Sequence, residues 1–286
     1  TLIFRYPSIL LLTLVECVVL FLVNLMFFAF AYLTSVKQWS GFVYIYIVLS
    51  YFWTAYTFTY VSYMTGAGVA STWYFLDGTA YFPKNPVWES FKRASTKSFG
   101  SAAYAALIIA ILETLRWLAK DGNNDNPVIT IIKCIIRFII MVIEMFMKWL
   151  NRYALIYCAT FGIPYKEGCR RWMELSFKRF VNVIVDSSII EMTVSVNMLM
   201  FVTISAVLSA LIGYLIGSTI GAVIGGLCGF IFTFLIFKFT TGPLEVYPDT
   251  IFVCFAEDPN RLRTFAPDLY SRIDDVYRDN IRIRMG

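Results

Sequence analysis

Long apolar stretches separated by short polar segments make up most of this 286-residue chain. A hydrocarbon core of about 30 Å takes about 20 helical residues to cross, and six stretches are long enough to do so. These predicted spans lie near residues 8–34, 41–65, 98–119, 128–150, 188–213 and 217–238. We therefore predict an all-α fold, a polytopic transmembrane helical bundle. The transmembrane domain is expected at 1–240 and a cytoplasmic C-terminal tail at 241–286.

The fourth predicted span differs from the others because it carries a stripe of charge. The four charged residues on this face are Lys133, Arg137, Glu144 and Lys148. Such a helix either lies flat in the interface or crosses with its stripe turned to the bundle interior or a wet cavity. If all six segments cross, most Lys and Arg fall on one side of the membrane. The positive-inside rule then favours crossing, with the C-terminus cytoplasmic.

The last two predicted spans follow one another without a charged residue between Glu191 and Lys238. We expect two helices joined by a tight turn at Gly217–Ser218. Glycines recur here at a spacing of four, at Gly213, Gly217, Gly221, Gly225 and Gly229. This ladder indicates close helix packing inside one subunit, with dimerisation or a gating hinge as the alternatives.

The composition excludes an ordinary soluble domain, with 59% hydrophobic residues and a mean hydropathy of +0.68. The net charge of +5 comes without a nucleic-acid-binding run, so the expected partners are membrane lipids and other membrane subunits, and no nucleic acid. The chain has no histidine, and its six cysteines form no CxxC pair. We expect no metal, no cofactor and no enzymatic activity, since a nucleophile elbow and a phosphate loop are also missing.

The second span combines aromatic rings and hydroxyls without any Asp, Glu, Lys or Arg between residues 42 and 75. One helical face collects Tyr46, Ser50, Trp53, Thr57, Tyr60 and Met64. Aromatic faces hold quaternary ammonium ions through cation–π attraction of about 0.5–2 kcal/mol per ring. We predict that Tyr46, Trp53 and Tyr60 form walls of a cation site and that Ser50 or Thr57 meets a ligand hydroxyl. The alternative is that these rings pack between helices or lie in interfacial belts.

Acidic residues inside the apolar segments are the other candidates. Glu16 lies within the first span, where an ionisable group is a functional hypothesis by default. It could balance a cation, carry a proton, or pair with Lys or Arg of the fourth span. The spacing of Glu113 with Arg116, and of Glu144 with Lys148, predicts local ion pairs on one helix.

Two aromatic or basic segments are expected at the membrane surface. Residues 153–187 combine an apolar run at 153–164 with several Arg and Lys residues. We predict an amphipathic or re-entrant piece that lies against anionic headgroups. Trp73 and Tyr74, near the predicted cytoplasmic end of the second span, are expected in an interfacial belt.

Four short motifs occur in order along the chain. They read GAGVASTWYF at 66–75, PVWESFKR at 86–93 followed by Gly100-Ser101, NRYA at 151–154, and DTIFVCFAED at 249–258. Together they resemble the motifs of the choline transporter-like family. The resemblance covers nearly all of the chain and maps to the C-terminal part of a domain with ten spanning helices and both ends cytoplasmic. It implies that about four helices of that domain lie outside this sequence.

The resemblance implies a solute carrier that moves choline or a related small organic cation, without a cofactor, across the plasma membrane or an organelle membrane. The alternatives are a non-transporting structural membrane subunit of a larger assembly and a lipid-handling membrane protein. Two positions depart from the family pattern. No acid follows Trp53, where members often carry one, and Ser98 stands in place of a family histidine.

Overall fold

The structure, a computed structural model, describes residues 5–36, 41–120, 127–267 and 270–271. Its helices are α1 Ser8–Val36, α2 Gly41–Leu76, α3 Pro86–Ser95, α4 Phe99–Lys120, α5 Pro127–Phe161, α6 Tyr165–Glu257 and α7 Pro259–Phe265. No strand occurs in these described ranges, and the predicted all-α class is confirmed.

Apolar helices long enough to cross a membrane are present. Within the described residues there are four, at Ser8–Thr34, Gly41–Leu76, Phe99–Ala119 and Met192–Leu215. A shorter apolar helical stretch follows at Thr219–Phe234. The charged α5 is not among the four. The six-span topology and the side on which the C-terminus lies stay predictions.

The long helical segment α6 reverses direction near its middle. The Thr233 hydroxyl donates to the Ser205 hydroxyl over 2.5 Å. A Cβ added to Gly213 would lie 2.1 Å from the carbonyl oxygen of Gly221, and one on Gly225 would lie 2.4 Å from the carbonyl oxygen of Ser209. Residues about equally far from position 217 therefore meet. The glycine ladder packs two arms of the same chain at a distance that only glycine allows.

The best-packed part of the molecule lies at one end of the bundle, where α2, α4, α5 and α6 meet. The Tyr153 ring stacks on the Trp172 ring with 3.9 Å between centroids. Leu155, Ile156 and Cys158 have no exposed surface. The prediction that residues 153–187 lie against headgroups is wrong for 153–158, because α5 continues to Phe161 and carries these six residues into the core.

Tyr74 also lies inside this end of the molecule. Its ring is fully buried with Cys254, Phe255 and Leu262. Its hydroxyl donates to the carbonyl oxygen of Asp258 over 2.8 Å. The expectation that Tyr74 belongs to an interfacial belt is wrong, because the segment that follows the last apolar stretch returns and covers it.

Candidate functional site

Small residues of the GAGVASTWYF motif bring two other segments against α2. A Cβ added to Gly66 would lie 2.6 Å from Cγ1 of Val246 in α6. A Cβ added to Gly68 would lie 2.9 Å from Cβ of Ser90 in α3. Any larger side chain at these two positions would push the helices apart. The glycines are therefore required by close approach of neighbouring helices.

An ion pair and a hydrogen bond connect the NRYA motif to the DTIFVCFAED motif. Arg152 Nε donates to Asp249 Oδ2, and these side chains are 18% and 4% exposed. Burial raises the pKa of the Asp249 carboxyl to about 6, while the Arg152 guanidinium acts in the opposite direction. The Arg152 guanidinium thus favours the ionised form of this buried carboxyl. Five residues further along α5, the Tyr157 hydroxyl donates to Glu257 Oε1 over 2.6 Å.

Together with the hydrogen bond from Tyr74 to Asp258, these contacts join all four motifs into one packed body. We call it the signature cluster: residues 66–75, 86–93, 151–157 and 249–258. Helices α2, α3, α5 and α6 meet in it. Sequence reasoning used the motifs only for resemblance and missed their convergence. The run of small residues at 66–71 was the available signal, since such runs are typical of close helix contacts.

A second group of polar residues lies between α4 and α5, and we call it the charge cluster: Glu113, Arg116, Glu144 and Lys148. The two predicted local pairs are present, with Arg116 3.7 Å from Glu113 and Lys148 2.5 Å from Glu144. Two pairs between the helices were not predicted: Lys148 lies 3.0 Å from Glu113, and Arg116 lies 2.9 Å from Glu144. Two acids thus balance two bases, and the Glu144 side chain is only 5% exposed.

Helix α2 places aromatic rings against this charge cluster. The Tyr56 hydroxyl donates to Glu113 Oε1 over 2.9 Å, and the Lys148 ammonium lies 5.6 Å from the centroid of the Tyr56 ring. The Tyr60 ring lies next to the Tyr56 ring, with 6.0 Å between their centroids. Its hydroxyl accepts a hydrogen bond of 3.2 Å from the Asn151 amide. A cation therefore lies on an aromatic face beside carboxylates, in the arrangement that cation–π binding requires.

Of the six stripe residues predicted on α2, Tyr60 lies beside Tyr56, Met64 is buried in the core, and four lie along the helix surface. Tyr46 is 71% exposed. The Ser50 and Thr57 hydroxyls each donate over 2.7 Å to the backbone carbonyl four residues earlier. The Trp53 indole donates to the carbonyl oxygen of Ala103 in α4 over 3.0 Å. Sequence reasoning missed Tyr56, which lies outside the chosen stripe.

The acid of the first span, Glu16, contacts a different face of α2. Its carboxylate is within hydrogen-bonding reach of the Ser62 and Thr59 hydroxyls. Ser62 lies about 200° around the helix from Tyr60, so Glu16 is not part of the aromatic face. In the described parts of the chain, no group of three or more His, Cys, Asp or Glu residues is placed to hold a metal ion.

Comparison with known proteins identifies the family. The family model described as plasma-membrane choline transporter matches residues 1–260. The chain belongs to the choline transporter-like family. The resemblance carried by the four motifs is thereby confirmed. Together with the apolar helices, family membership makes this a transporter-like integral membrane protein.

Several curated relatives are similar to this member of the choline transporter-like family. A CTL-like protein of Dictyostelium discoideum is 28% identical over 239 residues, which cover 82% of this chain and 42% of that protein. Choline transporter-like protein 2 of the same organism is 27% identical, over 76% of this chain and 35% of that protein. Protein PNS1 of Gibberella zeae is also 27% identical, over 81% of this chain and 45% of that protein. The chain spans less than half the length of each relative.

Proposed function

We propose that this chain forms part of a transporter that moves choline or a related small organic cation across a membrane. The observation that carries the proposal is the Lys148 ammonium on the Tyr56 ring beside Glu113. A trimethylammonium group needs the same two partners, an aromatic face and a nearby negative charge. Family membership and the printed name of choline transporter-like protein 2 support the same substrate class.

The position of the acids adds support. Helix α2 carries no acid after Trp53, but Glu113 of α4 and Glu144 of α5 lie beside its tyrosines. The counter-charge for a substrate cation therefore comes from neighbouring helices.

In this proposal an incoming cation competes with Lys148 for the Tyr56 ring and Glu113. Lys148 keeps a second partner, since its ammonium also lies 2.5 Å from Glu144. Binding then exchanges one set of ion pairs for another between α4 and α5. Such an exchange can link substrate binding to movement of the two helices, as alternating access requires. We place the C-terminus on the cytoplasmic side from the distribution of Lys and Arg.

Uptake of labelled choline by cells that express the complete protein tests the proposal. Tyr56→Ala and Tyr60→Ala variants that reach the membrane at parental levels should show weaker uptake, because these two rings lie side by side at the proposed site. Phe58→Ala is the matched control, because Phe58 is an aromatic residue of α2 with 42% exposure and no part in the proposed site. Uptake by both variants equal to that of the control would exclude the aromatic face as the cation site. Lack of uptake by the unaltered protein would instead favour a structural membrane subunit.

A further inference from the structure

A cavity of about 270 Å³ lies between α2, α3 and the end of α5, away from the charge cluster. Its polar wall includes Ser90, Arg93, Lys97 and Ser98. Of the residues that the structure places around this cavity, none is acidic. The cavity therefore combines two cationic side chains with the hydroxyls of Ser90, Ser98 and Thr160, without a carboxylate. The proposed transport of a cation makes no use of this positive cavity.

Arg93 is an exposed residue, and its contacts differ from those of the arginines that pair with buried carboxylates. Arg116 and Arg152 contact carboxylates. Arg93 Nη2 contacts only neutral oxygens, Thr72 Oγ1 at 3.3 Å and Ser90 Oγ at 3.4 Å. No ion pair joins Arg93 to a carboxylate within the described part of the chain. Its guanidinium keeps donors available, in the planar fork that matches a phosphate group.

Gly68 leaves room for this arrangement. A Cβ added at Gly68 would lie 2.9 Å from Cβ of Ser90 and 3.4 Å from Arg93 Nη2. A side chain at this position would therefore clash with Ser90 and fill space beside the arginine. Because Gly68 has no side chain, α3 can approach α2 closely, and the Arg93 guanidinium can lie in the cavity wall.

A second cavity, of about 520 Å³, lies on the other side of Arg93. Its wall includes Lys84, Trp88 and Tyr81, with Glu89 as its acidic residue. The Tyr81 and Trp88 rings are largely exposed. Amphipathic aromatic rings beside basic side chains are typical of the membrane–water interface, where phosphate headgroups lie. Arg93 can thus be approached from a surface that suits a lipid headgroup.

We propose that Arg93, Lys97, Ser90 and Ser98 form a binding site for a phosphate group. The phosphate comes from a lipid headgroup or from a small soluble phosphate. Both sources share the oxygens that accept from a guanidinium, an ammonium and two hydroxyls. The site is independent of the proposed cation site, whose aromatic and acidic residues lie between α2, α4 and α5.

The test uses the complete protein in a phosphate-free maltoside detergent, titrated with phosphatidic acid in one arm and inorganic phosphate in the other. Oleic acid serves as an anionic lipid without phosphate. Binding is followed by the melting temperature and by native mass spectrometry. The variant is R93Q/K97Q, and the matched control K92Q/K166Q removes the same charge from two exposed positions outside both cavities.

We expect at least one phosphate probe to raise the melting temperature of the parent and of K92Q/K166Q. Binding to R93Q/K97Q should be at least tenfold weaker, as expected for lost charge-assisted hydrogen bonds. Protection by phosphatidic acid alone assigns a lipid, and protection by inorganic phosphate assigns a soluble source. If R93Q/K97Q is not stable, K97Q alone should still weaken binding severalfold. Equal binding by variant and control, equal protection by oleic acid, or no binding to the parent would overturn the proposal.

Discussion

The two halves of α2 differ in what surrounds them. From Gly41 to Tyr60 the helix carries aromatic rings, and its residues are exposed or half-buried. From Val61 to Tyr74 it carries mostly small residues, nearly all of them buried. Large rings keep neighbouring helices apart and leave faces open, whereas Gly, Ala and Ser let backbones approach closely. One helix thus contains both an aromatic wall and a close-packed joint.

The family motif of α2 and the residues of the proposed cation site therefore lie in different halves of the helix. The GAGVASTWYF motif lies in the close-packed half and joins the signature cluster. The tyrosines beside the charge cluster lie in the other half, outside the four motifs. Substitutions at the motif glycines of α2 and at Asp249 should therefore act on stability, and substitutions at the tyrosines should act on cation affinity.

The largest effect is expected from the buried ion pair that holds the signature cluster. Asp249→Asn removes the carboxylate that lies against the Arg152 guanidinium, and breaking a buried ion pair of this kind should destabilise the protein by about 3–5 kcal/mol. Thermal unfolding in detergent measures this loss. Glu174→Gln is the control, since the Glu174 side chain is 63% exposed. Equal melting temperatures of the two variants would show that the pair does not hold the cluster together.

The next effect concerns the close approach of α6 to α2. Gly66→Val forces a side chain into space that Val246 occupies, and overpacking of this kind costs about 1–3 kcal/mol. Gly41→Val makes the same change on the same helix at a position with nothing within 4 Å. The two variants are compared by their melting temperatures and by the fraction of each that is monodisperse in detergent. The close-packed joint is refuted if Gly66→Val behaves like Gly41→Val.

The smallest effect is expected from substitutions in the aromatic half of α2, and it should appear as a change in affinity for the cation. Tyr56→Leu removes a ring from the proposed cation site, and a cation–π contact of about 0.5–2 kcal/mol corresponds to a rise in KM for choline of about twofold to thirtyfold. Tyr56→Phe keeps the ring and loses only the hydrogen bond to Glu113. It should therefore transport better than Tyr56→Leu. Identical KM values for Tyr56→Leu, Tyr56→Phe and the parent would rule out the ring as a contact.

Part of the candidate site could be predicted from spacing along single helices. The pairs Glu113–Arg116 and Glu144–Lys148 followed from positions three and four residues apart. The contacts between Lys148 and Glu113 did not, because they depend on how α4 and α5 are rotated against each other. The same holds for Tyr56: a helical wheel groups residues on faces but does not tell which face meets another helix.

The sequence by itself determined the all-α class, the apolar helices and the family. Each follows from hydropathy along one segment or from short motifs. Only the tertiary structure decided that residues 155–158 and Tyr74 lie in the core, and that acids of α4 and α5 lie beside the tyrosines of α2. The physical reason is that a helix in a bilayer is apolar toward lipid and toward its neighbours alike. Hydropathy therefore cannot tell the two faces apart, and the shapes of the packed side chains make that choice.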